Sequence, residues 1–197
     1  MCLLLQAATT WINLMPTEYV FTLGYKNNAY NLHLIFEKVN FYHLSGMHYA
    51  KDVDFKIPPN KMYGERLIDL VLSGKIAACD IEKSINWAKI KGRLEGIVTL
   101  KEIMESEFSI YQFAPNRLGF NSDISAEYLI HNPNLNLSIF LFLDDTGERF
   151  YCKSIFSEEI RDYTQNQTPY KVLKKIKIED GNEIELFRHP SYREEKS

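Results

Sequence analysis

Two runs near the start of the chain alternate side by side with a period of two. Tyr19, Phe21, Leu23 and Tyr25 share one parity, with Val20, Thr22 and Gly24 between them; Tyr30, Leu32, Leu34 and Phe36 share another, set against Asn31, His33 and Glu37. Successive side chains of a strand point to opposite faces, so both runs predict half-buried strands. They are joined through Lys26-Asn27-Asn28. Asn tolerates the positive φ of tight turns, so the pair reads as a hairpin. Ahead of it, residues 2–14 predict a short helix that ends before Pro16.

The middle of the chain has a helical period. Met62 to Leu72 carries Leu67, Ile68, Val71 and Leu72, and Gly74 stands where a helix can stop. Asp80 is an expected N-cap for a helix running through Ile85, Trp87 and Ile90, and a third helix is expected over Thr99 to Ser106. Ile57-Pro58-Pro59-Asn60 reads as a loop between the hairpin and this helical block.

The last third returns to strands, near 108–113, 125–131, 137–143, 149–155, 170–178 and 183–188. Asp144-Asp145-Thr146-Gly147 and Asp180-Gly181 supply turn chemistry between neighbours. Strands joined by short turns make an antiparallel sheet. The fold class is therefore α+β: a sheet from the C-terminal third, an N-terminal hairpin, and a helical block between them. The tail from Pro190 on is expected to fray.

Composition narrows the class. At 197 residues, residues 1–197 form one domain, and 45% hydrophobic content supports a core without disulfides. Net charge is −3 and the pI about 6.0, which argues against a dedicated duplex binder, whose affinity comes from neutralising phosphates. Cys2, Cys79 and Cys152 show no Cys-x-x-Cys spacing and suit a reducing cytosol. Met1 to Leu5 has no cation before it and is soon interrupted by Gln6, Thr9 and Thr10, so neither a signal peptide nor a membrane anchor is expected. The expectation is a cytoplasmic protein with no membrane partner.

Familiar sites are absent from the sequence: no Gly-rich phosphate loop, no nucleophile elbow, no His-Glu-x-x-His, and no carboxylate cluster for two metals. No cofactor is expected, and a nuclease of this sequence would work without a metal. The segment Phe41-Tyr42-His43-Leu44-Ser45-Gly46-Met47-His48-Tyr49 stands out, followed by Lys51. A His can hold either protonation state near neutral pH, which suits proton transfer. The plainer alternative is a half-buried His43 bonded to a backbone carbonyl. His33, His131 and His189 suggest no role.

A second region runs from Tyr151-Cys152-Lys153-Ser154 to Tyr163-Thr164-Gln165-Asn166-Gln167-Thr168. It continues into a strand with Lys171, Lys174, Lys175 and Lys177. Cations with hydroxyl and amide groups are what a phosphate requires. The alternative is a solvated, Lys-rich strand face. Geometry adds a condition: in a regular strand Lys153 and Ser154 point to opposite faces, so one site takes both only at a bulge or a strand end.

The order of these pieces resembles a known family. Hairpin, Phe41-Tyr42-His43-Leu44-Ser45-Gly46-Met47, helices, Lys153-Ser154-Ile155-Phe156, then Gln167-Thr168-Pro169-Tyr170-Lys171-Val172-Leu173 is similar to the fourth phage-associated group placed with the barnase–EndoU–colicin–RelE nucleases, over roughly residues 15–180. The resemblance implies a barnase/EndoU/colicin/RelE-like fold. It also implies a metal-independent ribonuclease carried by phages or mobile elements, acting as a toxin, with RNA as substrate and an antitoxin or host protein as further partner. The implied chemistry is attack of the RNA 2′-OH on the adjacent phosphate. His43 is the implied base or acid; Lys153, with Lys51, holds the phosphate; Ser154 and Gln167 orient it; Lys171 belongs to the substrate-binding set. DNA, lacking the 2′-OH, is not expected to be cut. The rival expectation is a non-enzymatic phage accessory or inhibitor module that binds a host protein through its aromatic sheet, with His43 structural.

Overall fold

The computed structural model describes residues 2–55, 64–134, 137–143, 147–157 and 161–193. In chain order the elements are α1 (Leu3–Leu14), β1 (Thr17–Tyr25), β2 (Asn28–Ile35), α2 (Phe41–Leu44), α3 (Arg66–Leu72), α4 (Trp87–Glu105), β3 (Ser109–Gln112), β4 (Tyr128–Asn132), β5 (Leu137–Leu143), β6 (Phe150–Ser157), β7 (Thr168–Glu179) and β8 (Asn182–Arg188).

The strands form one sheet in the order β1-β2-β6-β5-β4-β3-β7-β8, and β1 also pairs with β7, so the sheet curls nearly into a barrel. Every pairing is antiparallel except β2 with β6. That parallel contact is short, Leu34 opposite Phe150 and Ile35 opposite Tyr151. The predicted hairpin thus extends the C-terminal sheet, and the α+β class is as expected. Its turn is Lys26-Asn27, with φ of 47° and 66°, and Asp180-Gly181 makes the second such turn with φ of 50° and 76°. Positive φ at both central residues gives the twist that a two-residue hairpin needs.

The helices cover one face. On α1, Leu4, Ala7, Ala8, Trp11 and Leu14 are buried at helical spacing, and the Trp11 indole N–H donates to the Glu37 carbonyl at 3.0 Å. α3 ends as Gly74 suggested. Gly74 has φ +68°, its N–H bonds the Val71 carbonyl, and the Lys75 N–H bonds the Leu70 carbonyl, which satisfies two of the last-turn acceptors. A smaller second core, Phe113, Leu129, Phe140 and Tyr163, lies under the loops that cover the sheet elsewhere.

Two helix expectations change. Ala78–Lys83 is a 3-10 segment, where Asp80 accepts from Lys83 Nζ at 2.6 Å instead of capping a helix. The helix expected at 99–106 is the second half of α4, unbroken from Trp87 to Glu105. Ile90, Leu94, Ile97, Leu100, Ile103 and Met104 are all fully buried along it. That continuous apolar stripe outweighs the weak helix propensity of Gly92 and Gly96. The loop at Ile57–Asn60, the start at Met62, the turn residues Asp144, Asp145 and Thr146, and the tail beyond Arg193 lie outside the described residues.

The basic strand is not a phosphate surface over its second half, nor a solvated face. Lys175 and Lys177 are buried. Lys175 Nζ donates to the Met104 carbonyl at 3.1 Å and to the Ser106 carbonyl, closing the C-terminus of α4. A cation there complements the helix dipole and satisfies orphan carbonyls. Lys177 is held by Glu179 at 2.7 Å and Glu105 at 3.4 Å.

The glycines of α4 differ in what they permit. A Cβ on Gly96 would lie 2.7 Å from Ile155 Cδ1, so this glycine lets β6 approach the helix; a Cβ on Gly92 would meet nothing within 4 Å. Gly92→Ala is expected to raise stability by about 0.5–1 kcal/mol through reduced unfolded-state entropy. Gly96→Leu should lower it by about 1–3 kcal/mol through overpacking. Urea melts of the two variants read both signs; a stabilised Gly96→Leu protein would refute the close-approach argument.

Candidate active site

The site begins where the sheet opens. After Tyr151, β6 has no β2 neighbour, and α2 lies against it instead. α2 is a single turn whose Phe41, Tyr42 and Leu44 are buried, which leaves His43 on the exposed side. Gly46 follows with φ +76°, bending the chain so that His48 returns toward His43. The two imidazoles stand 5.4 Å apart between centroids. The bend also brings the backbone onto α4: a Cβ on Gly46 would lie 2.9 Å from Arg93 Cδ. Only glycine combines that φ with that approach.

Arg93 reaches out of α4 beside the histidines. Its guanidinium lies over the Tyr49 ring, 5.5 Å from the centroid, and it hydrogen-bonds the Tyr49 side chain. Lys89 Nζ approaches the same ring at 5.4 Å. His43, His48, Arg93 and Ser154 line one cavity of about 250 Å³ together with Asp123, Ile124 and Ser125. Two imidazoles, a guanidinium, a carboxylate and two hydroxyls are thus gathered at one opening. The larger cavity of about 580 Å³ beside Tyr19, Lys177 and Glu179 has no histidine among its described lining residues.

The electrostatics separate the two histidines. Burial, then the positive Arg93, then His43 and Lys51, push His48 down to about 4, with the Tyr42 carbonyl pulling weakly the other way. His48 is therefore neutral at physiological pH, and its Nδ1 is buried without a hydrogen-bond partner. Between pH 6.5 and 4 the unfolded chain binds a proton at His48 that the folded chain refuses. Stability held above pH 6.5 is expected to drain away as pH falls through that window. His48→Gln should therefore lose less melting temperature than the wild type between pH 7 and pH 4.5; an equal loss would show that His48 does not carry the effect.

Ser154 owes its position to a bulge. Cys152 pairs with Leu141 and Ser154 with Phe140, so Lys153 is an extra residue on β6 with no β5 partner. The strand continues to Ser157, yet strict alternation fails at this point. Cys152 and Ile155 both enter the core, while half-buried Ser154 faces the cavity. A bulge re-aims side chains in this way. Lys153 itself is described by its backbone alone.

The other expected site residues fall in different places. Lys51 is exposed and near enough for its charge to act on His48. Gln167 is buried away from the cavity. Its Oε1 accepts from the Ala114 N–H at 2.6 Å, and its Nε2 donates to the Ala114 and Gln165 carbonyls at 3.2 and 3.1 Å. It thereby clamps the base of the loop that carries Asp123–Ser125. Lys171 stands at the far end of the sheet, beside the β1–β2 turn. The convergence of His43 with Gln167 is thus not seen, and Arg93 and His48 take part instead. Arg93 gave no sequence signal, since one arginine on a solvated helix flank is ordinary.

A family model described as phage-Barnase-EndoU-ColicinE5/D-RelE like nuclease4 matches residues 3–190. The chain belongs to this nuclease-like family. The match takes in α1 through β8, so the hairpin, the helical block and the late strands form one family unit, a phage-type nuclease-like domain. Membership implies a nucleic-acid substrate. No curated protein and no solved structure matches the chain. Among the described residues no helix is long and apolar enough to cross a membrane.

Proposed function

We propose that this nuclease-like domain is an RNA endonuclease that acts without a metal ion, with the His43 cavity as its active site. The observation that carries the reading is the meeting of His43, His48, Arg93 and Ser154 around one cavity. In the proposed reaction the RNA 2′-oxygen attacks the adjacent phosphorus. The O2′–P bond forms, the P–O5′ bond breaks, and the products are a 2′,3′-cyclic phosphate and a 5′-hydroxyl.

His43 is exposed at the rim, so it is the group that takes the 2′-OH proton as O2′ attacks and returns it to the departing 5′-oxygen. His48, held neutral, shapes the wall without adding charge. Arg93 offers a planar fork of donors that fits two phosphate oxygens, and Tyr49 fixes its plane. Ser154, which lines the same cavity, is a further donor, and Lys51, whose charge reaches His48, a further cation for the phosphate; Lys153 is assigned to the phosphate by the family resemblance alone. Cations and donors placed where charge develops lower the barrier. In a cell such an activity acts as a toxin, with an antitoxin as its natural neutralising partner.

The test compares end-labelled RNA and DNA of one sequence, each with and without EDTA. RNA should be cut to 2′,3′-cyclic phosphate ends at an unchanged rate in EDTA, and DNA should stay intact. Cleavage of DNA, or loss of RNA cleavage in EDTA, overturns the mechanism. Absence of any cleavage overturns the enzyme reading, and expression should then leave cell growth unaffected.

A further inference from the structure

The far end of the barrel carries a second concentration of cations that the His43 cavity does not use. The β1–β2 turn, β7 and residues 191–193 enclose a cleft of about 490 Å³. Lys26, Lys171 and Arg193 line it, with Tyr25 and Tyr192, and no carboxylate lines it among the described residues. In a chain of net charge −3, the described lining of this cleft is thus cationic.

The aromatic groups are layered. Lys26 Nζ lies 5.1 Å from the Tyr25 ring centroid, and Tyr25 leans on Tyr170 at 4.9 Å with an interplanar angle of 33°. Tyr170 in turn meets Tyr30 and Tyr128 edge-on, at 5.5 and 5.8 Å. Tyr25 is thus a half-exposed platform backed by a rigid tyrosine cluster. The far wall is also fixed: the His189 N–H donates to the Leu173 carbonyl at 2.8 Å, and Arg193 Nη1 donates to the Pro190 carbonyl at 2.9 Å. Lys26 sits at φ 47° in the first central position of the turn, where Asn, Asp or Gly is the comfortable choice. A lysine held in a disfavoured backbone conformation at a cleft rim points to a use for its side chain.

We infer that this cleft is a second binding site for single-stranded RNA, with Lys26 and Lys171 on phosphates and a base stacked at Tyr25. The inference rests on the RNA reading of the His43 cavity and extends it. Cations beside an aromatic platform are how single strands are held without sequence preference. β2 alone, at about 3.3 Å per residue, separates this cleft from the end of the sheet that leads to His43. A dinucleotide in the cavity therefore cannot reach it, whereas a long strand can occupy both.

Binding is measured by fluorescence anisotropy in the His43→Ala background, so that affinity is read without turnover. The probes are a labelled single-stranded RNA polymer and a dinucleotide. The double variant Lys26→Ala/Lys171→Ala should bind the polymer several-fold more weakly. Its log–log salt slope should shrink by about 1.4, at about 0.7 per phosphate contact on a single strand. Tyr25→Leu should weaken polymer binding about tenfold. Dinucleotide cleavage, measured with His43 restored, should be unchanged in all of them, which separates lost contact from lost fold. Wild-type affinity and salt slope in the double variant overturn the inference, as does equal loss on the dinucleotide or absence of polymer binding altogether. If His43→Ala proves to cleave RNA normally while the lysine effects hold, the catalytic reading falls and the cleft stands. If cleavage depends on His43 and the lysine variants bind as wild type, only the cleft falls.

Discussion

His43→Ala is expected to slow RNA cleavage by about 10²- to 10⁴-fold, the usual loss of a positioned proton-transfer group. The side chain is exposed on a one-turn helix whose other residues hold it in place. Its removal should therefore leave stability within about 0.5 kcal/mol of wild type. That combination separates the catalytic reading from the structural one, because a structural His would lose activity only together with fold. The measurement pairs single-turnover cleavage with a thermal melt. Above about pH 5 His48 stays neutral, so it adds no charge to the cavity over the working range. A His43→Ala protein that cleaves at the wild-type rate removes His43 from the mechanism.

Arg93→Met should lower the rate by about 10²- to 10³-fold, the order expected when one donor to a developing oxyanion is lost. The unbranched Met chain keeps contact with Tyr49 and with the Gly46 backbone, so the loss reports the missing charge and fork. Arg93→Lys keeps the cation but not the two parallel donors, and an intermediate rate is expected. A wild-type rate in the Met variant would mean that neither the charge nor the fork at this position is used, and the assignment of Arg93 to the phosphate would fail.

Much of the scaffold could be read from local pattern. Strict alternation at Tyr19–Phe36 and the turn chemistry at Asp180-Gly181 produce strands and hairpins through contacts only a few residues apart, while the first turn sits at Lys26-Asn27, one residue ahead of the expected Asn27-Asn28 pair. Gly74 stops α3 for an equally local reason. The resemblance carried by the His43 segment and by Lys153–Phe156 and Gln167–Leu173 agrees with the family match over residues 3–190. The start of α4 was less legible: Asp80 has a capping side chain, but the helix begins at Trp87, where the buried stripe starts. Lys175 misled for a similar reason. Its sequence neighbours mark a solvated basic strand, and only the arrival of the α4 C-terminus makes burying it favourable.

The sequence by itself determined the strands, the hairpins and the α+β class, because periodicity and turn residues act over short spans of chain. Tertiary structure alone decided which groups share the cavity. Arg93 arrives from a helix roughly fifty residues beyond His43 (a close approach across Gly46), and Ser154 faces inward because a bulge at Lys153 breaks the strand alternation. It also sent Gln167 to clamp a loop and Lys171 to the opposite end of the barrel. Such placements depend on how the sheet closes and where β6 parts from β2, which are long-range pairings that no local pattern encodes.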